Sequence, residues 1–354
     1  MPSSSSLTCT TCGALNTPDA SLCEHCQRPL LLSAYLLSQA LFHDRYYLID
    51  KLGTGGFGSV YKASDTQCAS RLVAIKEISL RGLAPEMMAE ATNTFRREAD
   101  LLSRLTHDSL PRLYEHIRKH EQWYLVLDFI DGETLEDYQN KAPNKRLLLG
   151  EVLAIGLQLC DILEYLHAHQ PPIIFRDLKP SNIIRSPEGK MYVIDFGIAR
   201  FFKPGQSKDT IPLGSPGYAA PEQYGRAQTT PSADLYSLGA ILHQLLTGKD
   251  PAETPLRFVA LRGTHTSNRS DPGGLTSSMV DVMMDSFGML INSMLEMDRD
   301  KRPASVTLVK QELRHLATTW SEIVRGYFRP RIPRTPRPDP AINSPLARYL
   351  RPGS

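Results

Sequence analysis

A chain of 354 residues has room for two or three compact units, and 41% hydrophobic with 22% charged residues is the composition of an ordinary soluble globular protein. The formal charge of +2 carries no overall skew toward a polyanionic partner, and no run approaches the ~20 consecutive apolar residues of a membrane-spanning helix. The first ten residues lack the basic and apolar regions of a signal peptide, so a cytoplasmic location is expected.

Four of the six cysteines lie in Cys9-x2-Cys12 and Cys23-x2-Cys26, with ten residues between the pairs. Two tight knuckles outside any disulfide framework read as a tetrathiolate Zn²⁺ site. Residues 1–29 are assigned to this zinc ribbon. Gly13, Asn16, Pro18 and Asp19 supply its turns, and it has so few large apolar residues that a metal must stabilise it. His25 reads as a bystander. With few basic or aromatic residues in the module, docking to a protein partner is the expected role. Residues 30–44 read as a short helical or irregular connector.

From Arg45 the pattern turns strand-like. Tyr46 to Ile49, Gly58 to Ala63 and Leu72 to Ile78 are β-rich runs parted by glycine and polar turns. Glu86 to Leu105 carries Phe95, Ala99, Leu102 and Leu105 at helix spacing, and Leu113–Ile117 and Trp123–Phe129 return to strand. After Gly132 helical periodicity dominates, over Leu147–His169, Ser232–Gly248, Met279–Glu296 and Ser305–Ala317. A strand pair, Ile183-Ile184 with Tyr192 to Ile194, interrupts it. Beyond Thr318 the prolines at 330, 333, 336, 338, 340, 345 and 352 predict a tail without regular structure, over 319–354.

Three stretches carry chemistry. Gly53-Thr54-Gly55-Gly56-Phe57-Gly58-Ser59-Val60 is a G-x-G-x-x-G-x-V loop. The same glycines mark dinucleotide-binding folds, but there they join a strand to a helix. Here the β-prone Val60 to Ala63 follows, which predicts a hairpin over phosphates. Next, Lys76 sits in the apolar strand Val73-Ala74-Ile75-Lys76, where an unpaired ammonium is costly. It needs an anion, and Glu98 on the following helix is the candidate. Last, IIFRDLKPSNII at 173–184 is followed, thirteen residues after Asn182, by Asp195-Phe196-Gly197. That places a carboxylate and an amide on one loop and a second carboxylate after a short strand. A reaction on the terminal phosphate of ATP needs a base to orient a hydroxyl and two oxygen ligands to hold Mg²⁺.

In order and spacing these motifs resemble the protein-kinase signature. The resemblance implies an α+β bilobal fold over 45–318, with a β-rich lobe at 45–130 and a helical lobe at 131–318. It implies an ATP site from Gly53, Gly55, Gly58, Val60, Ala74, Lys76 and Glu98, with Leu127 as gatekeeper and Asp128 to Ile130 as the hinge behind adenine. Lys76 then meets the α- and β-phosphates. Asp177 is the catalytic aspartate and Lys179 the lysine near the transferred phosphate. Asn182 and Asp195 hold Mg²⁺ (or Mn²⁺). Lysine two residues after Asp177 is the serine/threonine form. The family's His-Arg-Asp is Phe175-Arg176-Asp177 here, as in the eukaryotic-type serine/threonine kinases of bacteria, and Phe175 is expected to pack on Phe196. Arg176 marks kinases switched by activation-loop phosphorylation, for which Thr210 is the candidate beside Ser207. Ser215 matches a hydroxyl that bonds the catalytic aspartate and lysine. Glu222 with Arg302 matches a buried ion pair, and Asp234 an anchor of the catalytic loop.

The reading is therefore an ATP-dependent kinase acting on serine and threonine hydroxyls of proteins. A pseudokinase scaffold that binds nucleotide and partners without turnover is the alternative. The seven arginines from 321 to 354 are interleaved with proline and face Glu322 and Asp339, which argues against a nucleic-acid partner.

Overall fold

The computed structural model describes residues 7–9, 12–17, 20, 22–27, 30, 41–55, 58–79, 85–119, 122–197, 199–201, 214–225, 228–259, 261 and 274–327. At the N-terminus β1 (Leu7–Thr8) pairs antiparallel with β2 (Leu15–Asn16).

The main sheet contains β3 (Leu41–Phe42), β4 (Tyr46–Gly55), β5 (Gly58–Asp65), β6 (Arg71–Ser79), β7 (Leu113–Lys119) and β8 (Gln122–Asp128), in the order β3-β4-β5-β6-β8-β7 with every pair antiparallel. Alternation decides its two faces. On one side Tyr46, Tyr61, Val73, Ile75, Tyr124 and Val126 form a core of their own. On the other, Ile78, Trp123 and Leu125 receive Ala91 and Phe95 of helix α1 (Pro85–Arg104). Lys76 lies one residue from Ile75 and two from Ile78, so the pleat puts it on the face that α1 covers.

The connector expected over 30–44 is corrected at its C-terminal end. Leu41 and Phe42 are a strand, and Phe42 is buried in the sheet's core at 1% exposure. The hairpin turns through His43 and Asp44, both left-handed at φ 54° and 52°. Phe42 pairs with Tyr46, so the loop has three residues, and a short polar side chain such as aspartate tolerates the left-handed conformation.

The second lobe is helical. β9 (Glu133–Thr134) leads into α2 (Leu135–Lys141), capped where the Thr134 hydroxyl accepts from the Asp137 amide at 3.0 Å. Helix α3 (Leu149–His167) and helix α5 (Ser232–Thr247) run through the core, the latter apolar nearly all round and buried from Ala233 to Leu245. Before α5 come β10 (Ile173–Ile174), β11 (Ile183–Arg185), β12 (Met191–Val193), β13 (Arg200–Phe201) and α4 (Pro221–Tyr224). β11 and β12 pair antiparallel as expected, and β10 pairs with β13.

The last two helices are α6 (Gly274–Met294) and α7 (Val306–Tyr327). The irregular tail expected from 319 is corrected as well: α7 continues to Tyr327. The first proline beyond it is Pro330, and Trp320 and Ile323 still pack on the core. Trp320 Nε1 lies so close to Gly150 that a Cβ there would meet it at 2.4 Å.

Candidate active site

β4 and β5 make a hairpin with Gly53 opposite Val60 and Gly55 opposite Gly58, so the glycine loop joins strand to strand. Its tip, Gly56 and Phe57, lies outside the described residues. Gly58 has to be glycine, because a Cβ would sit 1.7 Å from the Glu77 carbonyl oxygen of β6. Gly53 has no such reason: a Cβ there would meet nothing within 4 Å. The space over Gly53 is open to a ligand.

Val60 stands opposite Lys76, and Ala74 opposite Leu127, on the same face of the sheet. From that face the Lys76 ammonium donates to Glu98 Oε1 and Oε2 at 2.8 and 2.9 Å and to Asp195 Oδ1 at 2.7 Å. Burial lifts the Glu98 carboxyl against the pull of Lys76, while burial and Lys76 compete at Asp195 and Lys76 wins, lowering it. Two carboxylates face one ammonium, so Lys76 stays charged and the trio is net negative. That is a seat for a divalent cation.

The catalytic loop hangs from the buried Asp234 on α5. Its Oδ2 accepts from the Phe175 amide at 2.9 Å, its Oδ1 from the Arg176 amide at 2.8 Å, and His167 Nε2 lies 2.8 Å from Oδ2. The anchor holds a strained backbone: Arg176 has φ 71°, and across the site Asp195 has φ 68°. A left-handed non-glycine residue costs on the order of 1–3 kcal/mol and persists where its surroundings over-determine it. Phe175 meets Phe196 edge to face, ring centroids 5.0 Å apart. The phenylalanine in place of histidine thus keeps the packing between the two loops.

Asp177, beside the anchored Arg176, is the hub. Its Oδ1 accepts from Ser215 Oγ at 2.7 Å, while Oδ2 accepts from Asn182 Nδ2 at 3.0 Å and lies 3.1 Å from Lys179 Nζ. Lys179 also donates to Ser215 Oγ at 2.6 Å. Asn182 spends its N–H groups on the Asp177 carboxylate and carbonyl, which turns its amide oxygen away from Asp177.

Asp128 and Ile130 flank Phe129, whose ring lies 4.2 Å under the Lys62 ammonium. The Asp128 carboxylate is already committed. It accepts from the Arg112 amide at 3.0 Å and from the Tyr114 hydroxyl, and the Asp128 amide donates to the Arg112 carbonyl at 3.0 Å, so neither the carboxylate nor the amide is left for a ligand. Tyr114 is a residue the sequence reading missed, as are His167 behind Asp234 and Gln223, which donates to the Arg176 carbonyl at 2.9 Å. Gln223 stands next to Glu222 in Pro-Glu-Gln and was legible as a candidate, whereas Tyr114 gave no signal. Further out, Arg302 grips Glu222 with bonds of 2.8 and 2.9 Å, also donates to the Ser232 and Glu296 carbonyls, and stacks over Tyr236. Ser207 and Thr210 lie outside the described residues.

Away from the cleft, the Sγ atoms of Cys9, Cys12, Cys23 and Cys26 all lie within 4.8 Å of one another, with Cys9–Cys26 at 3.5 Å and Cys12–Cys23 at 3.6 Å. The Cys26 amide lowers the Cys23 thiol to about 6, whereas Cys12 is pushed up to about 12: the Ala14 amide pulls it down, but burial and the neighbouring sulfurs raise it further. Four sulfurs this close cannot all ionise alone, and a cation removes the conflict.

The N-terminal half of this site is a hairpin and a lysine, and the C-terminal half is a loop and a carboxylate. The chain is 35% identical over 212 residues to the probable serine/threonine-protein kinase PknB of Lactococcus lactis. It is 39% identical over 221 residues to serine/threonine-protein kinase C of Synechocystis, and 36% over 227 to serine/threonine-protein kinase PknA of Nostoc. These matches cover 60%, 60% and 61% of this chain and 33%, 40% and 39% of the relatives, so the chain spans well under half of each. The family model of the protein kinase domain matches residues 46–314, and the chain belongs to that family.

Proposed function

We propose that the chain transfers the γ-phosphoryl group of ATP to serine and threonine hydroxyls of protein substrates. The observation that carries this is the grip on the Ser215 hydroxyl, held by Asp177 at 2.7 Å and Lys179 at 2.6 Å. The same pair can hold an incoming hydroxyl in line with a phosphate. In the reaction the hydroxyl oxygen bonds the γ-phosphorus, the bond to the β-phosphate oxygen breaks, and the hydroxyl proton passes to Asp177. Gly53, Gly55, Gly58, Val60 and Ala74 line the nucleotide side, with the main chain of Asp128 to Ile130 at adenine. Lys76, steadied by Glu98, turns from Asp195 to the phosphates. Asn182 and Asp195 would hold Mg²⁺, which neutralises charge on the phosphates. Labelled ATP with Mg²⁺ and a generic serine/threonine peptide tests the proposal: no transfer by pure protein refutes it.

We also read the cysteine module as a separate unit that binds one Zn²⁺ and docks to a protein partner. A tetrahedron of about 2.3 Å Zn–S bonds has edges of about 3.8 Å, close to the 3.5 and 3.6 Å between the sulfurs. Activation by autophosphorylation on Thr210 rests on Arg176 beside Asp177. Mass spectrometry that finds 207–215 unmodified in a fully active preparation refutes it. A cytoplasmic setting accords with reduced thiolates, and among the described residues no helix is long and apolar enough to cross a membrane.

A further inference from the structure

Far from the nucleotide cleft, α6 and α7 leave an open groove between them. Its volume is about 620 Å³. Val282, Met283, Met289, Leu290 and Leu316 make it apolar, and Val282 and Met289 are 63% and 66% exposed. No lysine or arginine lines it, while Glu312 stands in it beside His315, and the exposed Asp285 adjoins the lining residue Ser286 on α6. An exposed apolar groove with an acidic rim asks for an apolar segment that carries cations.

The same chain supplies one. Residues 328–354 contain six arginines against Asp339 alone. Within them Ser344-Pro345-Leu346-Ala347-Arg348-Tyr349-Leu350-Arg351 puts Leu346, Tyr349 and Leu350 at i, i+3 and i+4. Serine followed by proline is a helix-start signal, and Pro352 is a stop. The three apolar residues make one helix face, with Arg348 and Arg351 beside it. Seven or eight residues are too few to form a helix alone in water, so such a segment gains its order from the surface it meets.

Reach is not limiting. α7 ends at Tyr327, ~12 Å along its axis from Thr319 in the groove. The nineteen steps from Tyr327 to Leu346 span up to ~60 Å when extended. Linkage of this kind gives an effective concentration in the millimolar range, so a weak contact is occupied.

We propose that residues 344–351 dock as an amphipathic turn of helix in the α6–α7 groove of their own chain. Leu346, Tyr349 and Leu350 enter between Val282, Met289 and Leu316, and Arg348 meets Glu312. The tail is then a strap on the helical lobe.

Hydrogen exchange of the full-length chain tests this, with L346D/L350D as the variant. Both positions lie beyond α7 in the sequence. Amides of 282–290 and 312–319 should exchange at least tenfold faster in the variant at unchanged thermal midpoint, and a synthetic peptide of residues 341–351 should restore their protection. E312R should reproduce the loss, and adding R348E should reverse it. Equal exchange in wild type and L346D/L350D overturns the proposal. Protection that fades on dilution, with a mass that falls from dimer to monomer, also overturns it by assigning the groove to a second copy.

Discussion

Asp177 spends its carboxylate on a serine, a lysine and an asparagine, and it is Lys179 and Asn182, not Asp177 itself, that would face the phosphates and their metal. Asp177→Asn should therefore cut kcat by roughly 10²–10⁴-fold while the Kd for ATP stays within about twofold. Equal turnover by the variant in a peptide assay would contradict the assigned role. Tyr114 acts at one remove. Its ring carries the Arg71 guanidinium 3.6 Å from the centroid and its hydroxyl donates to Asp128, so it fixes the start of the hinge from behind. Tyr114→Phe should raise KM for ATP several-fold and leave kcat alone; a fall in kcat with KM unchanged would place its effect elsewhere. The first residue was legible in the sequence because phosphoryl transfer dictates its type and spacing. The second was not, because Tyr114 and Asp128 meet across the β7–β8 pair, with a register shift between Leu113 and Glu115.

Elements announced themselves where a face is buried. β8 alternates Trp123 and Leu125 toward α1 with Tyr124 and Val126 toward the other core, and both sets are buried. Ends were less legible: β3 is two residues long, and α7 outruns the end expected from the tail's prolines because Trp320 and Ile323 still pack on the core before Pro330. Ion pairs tie the ends of elements together. Asp65, at the end of β5 and fully buried, is held down to about 2 from 3.8, first by Arg45 and then by Arg71, both of which donate to it. Protons therefore prefer the unfolded chain, so this stabilisation is whole above pH ~4 and is lost as pH falls toward ~2. Asp65→Asn should unfold at lower urea than wild type at neutral pH, and the gap should close between those values. A gap that persists unchanged down to pH ~2.5 would mean that the pair is not the source. Arg302→Leu strands Glu222 between α4 and α5 and should cost ~3–5 kcal/mol in denaturant unfolding. A loss under ~1 kcal/mol would show that Glu222 finds solvent instead.

At the scale of the whole molecule, the two units are stabilised by different physics. The kinase fold has one continuous core from α1 through α7, a second on one face of its sheet and a third between the sheet and α1. Among the described residues of the cysteine module the buried apolar ones are Cys9 and Cys23, while Leu15 and Leu22 are 68% and 38% exposed. Such a unit gains little from burial against its chain entropy, and on the proposed reading Zn²⁺ would supply its folding free energy, on the order of 10 kcal/mol. One Zn²⁺ per chain should be found in freshly purified, reduced protein, and Cys23→Ser should remove it. A strong chelator should then collapse hydrogen-exchange protection over 7–27 and release any protein partner bound there. Phosphorylation of a generic peptide should stay within about twofold once Mg²⁺ is restored, because none of the described residues that build the cleft belongs to the module. Zinc well below one equivalent would refute the site. Zinc present, but peptide activity lost on its removal, would make the module part of the catalytic unit and overturn the separation.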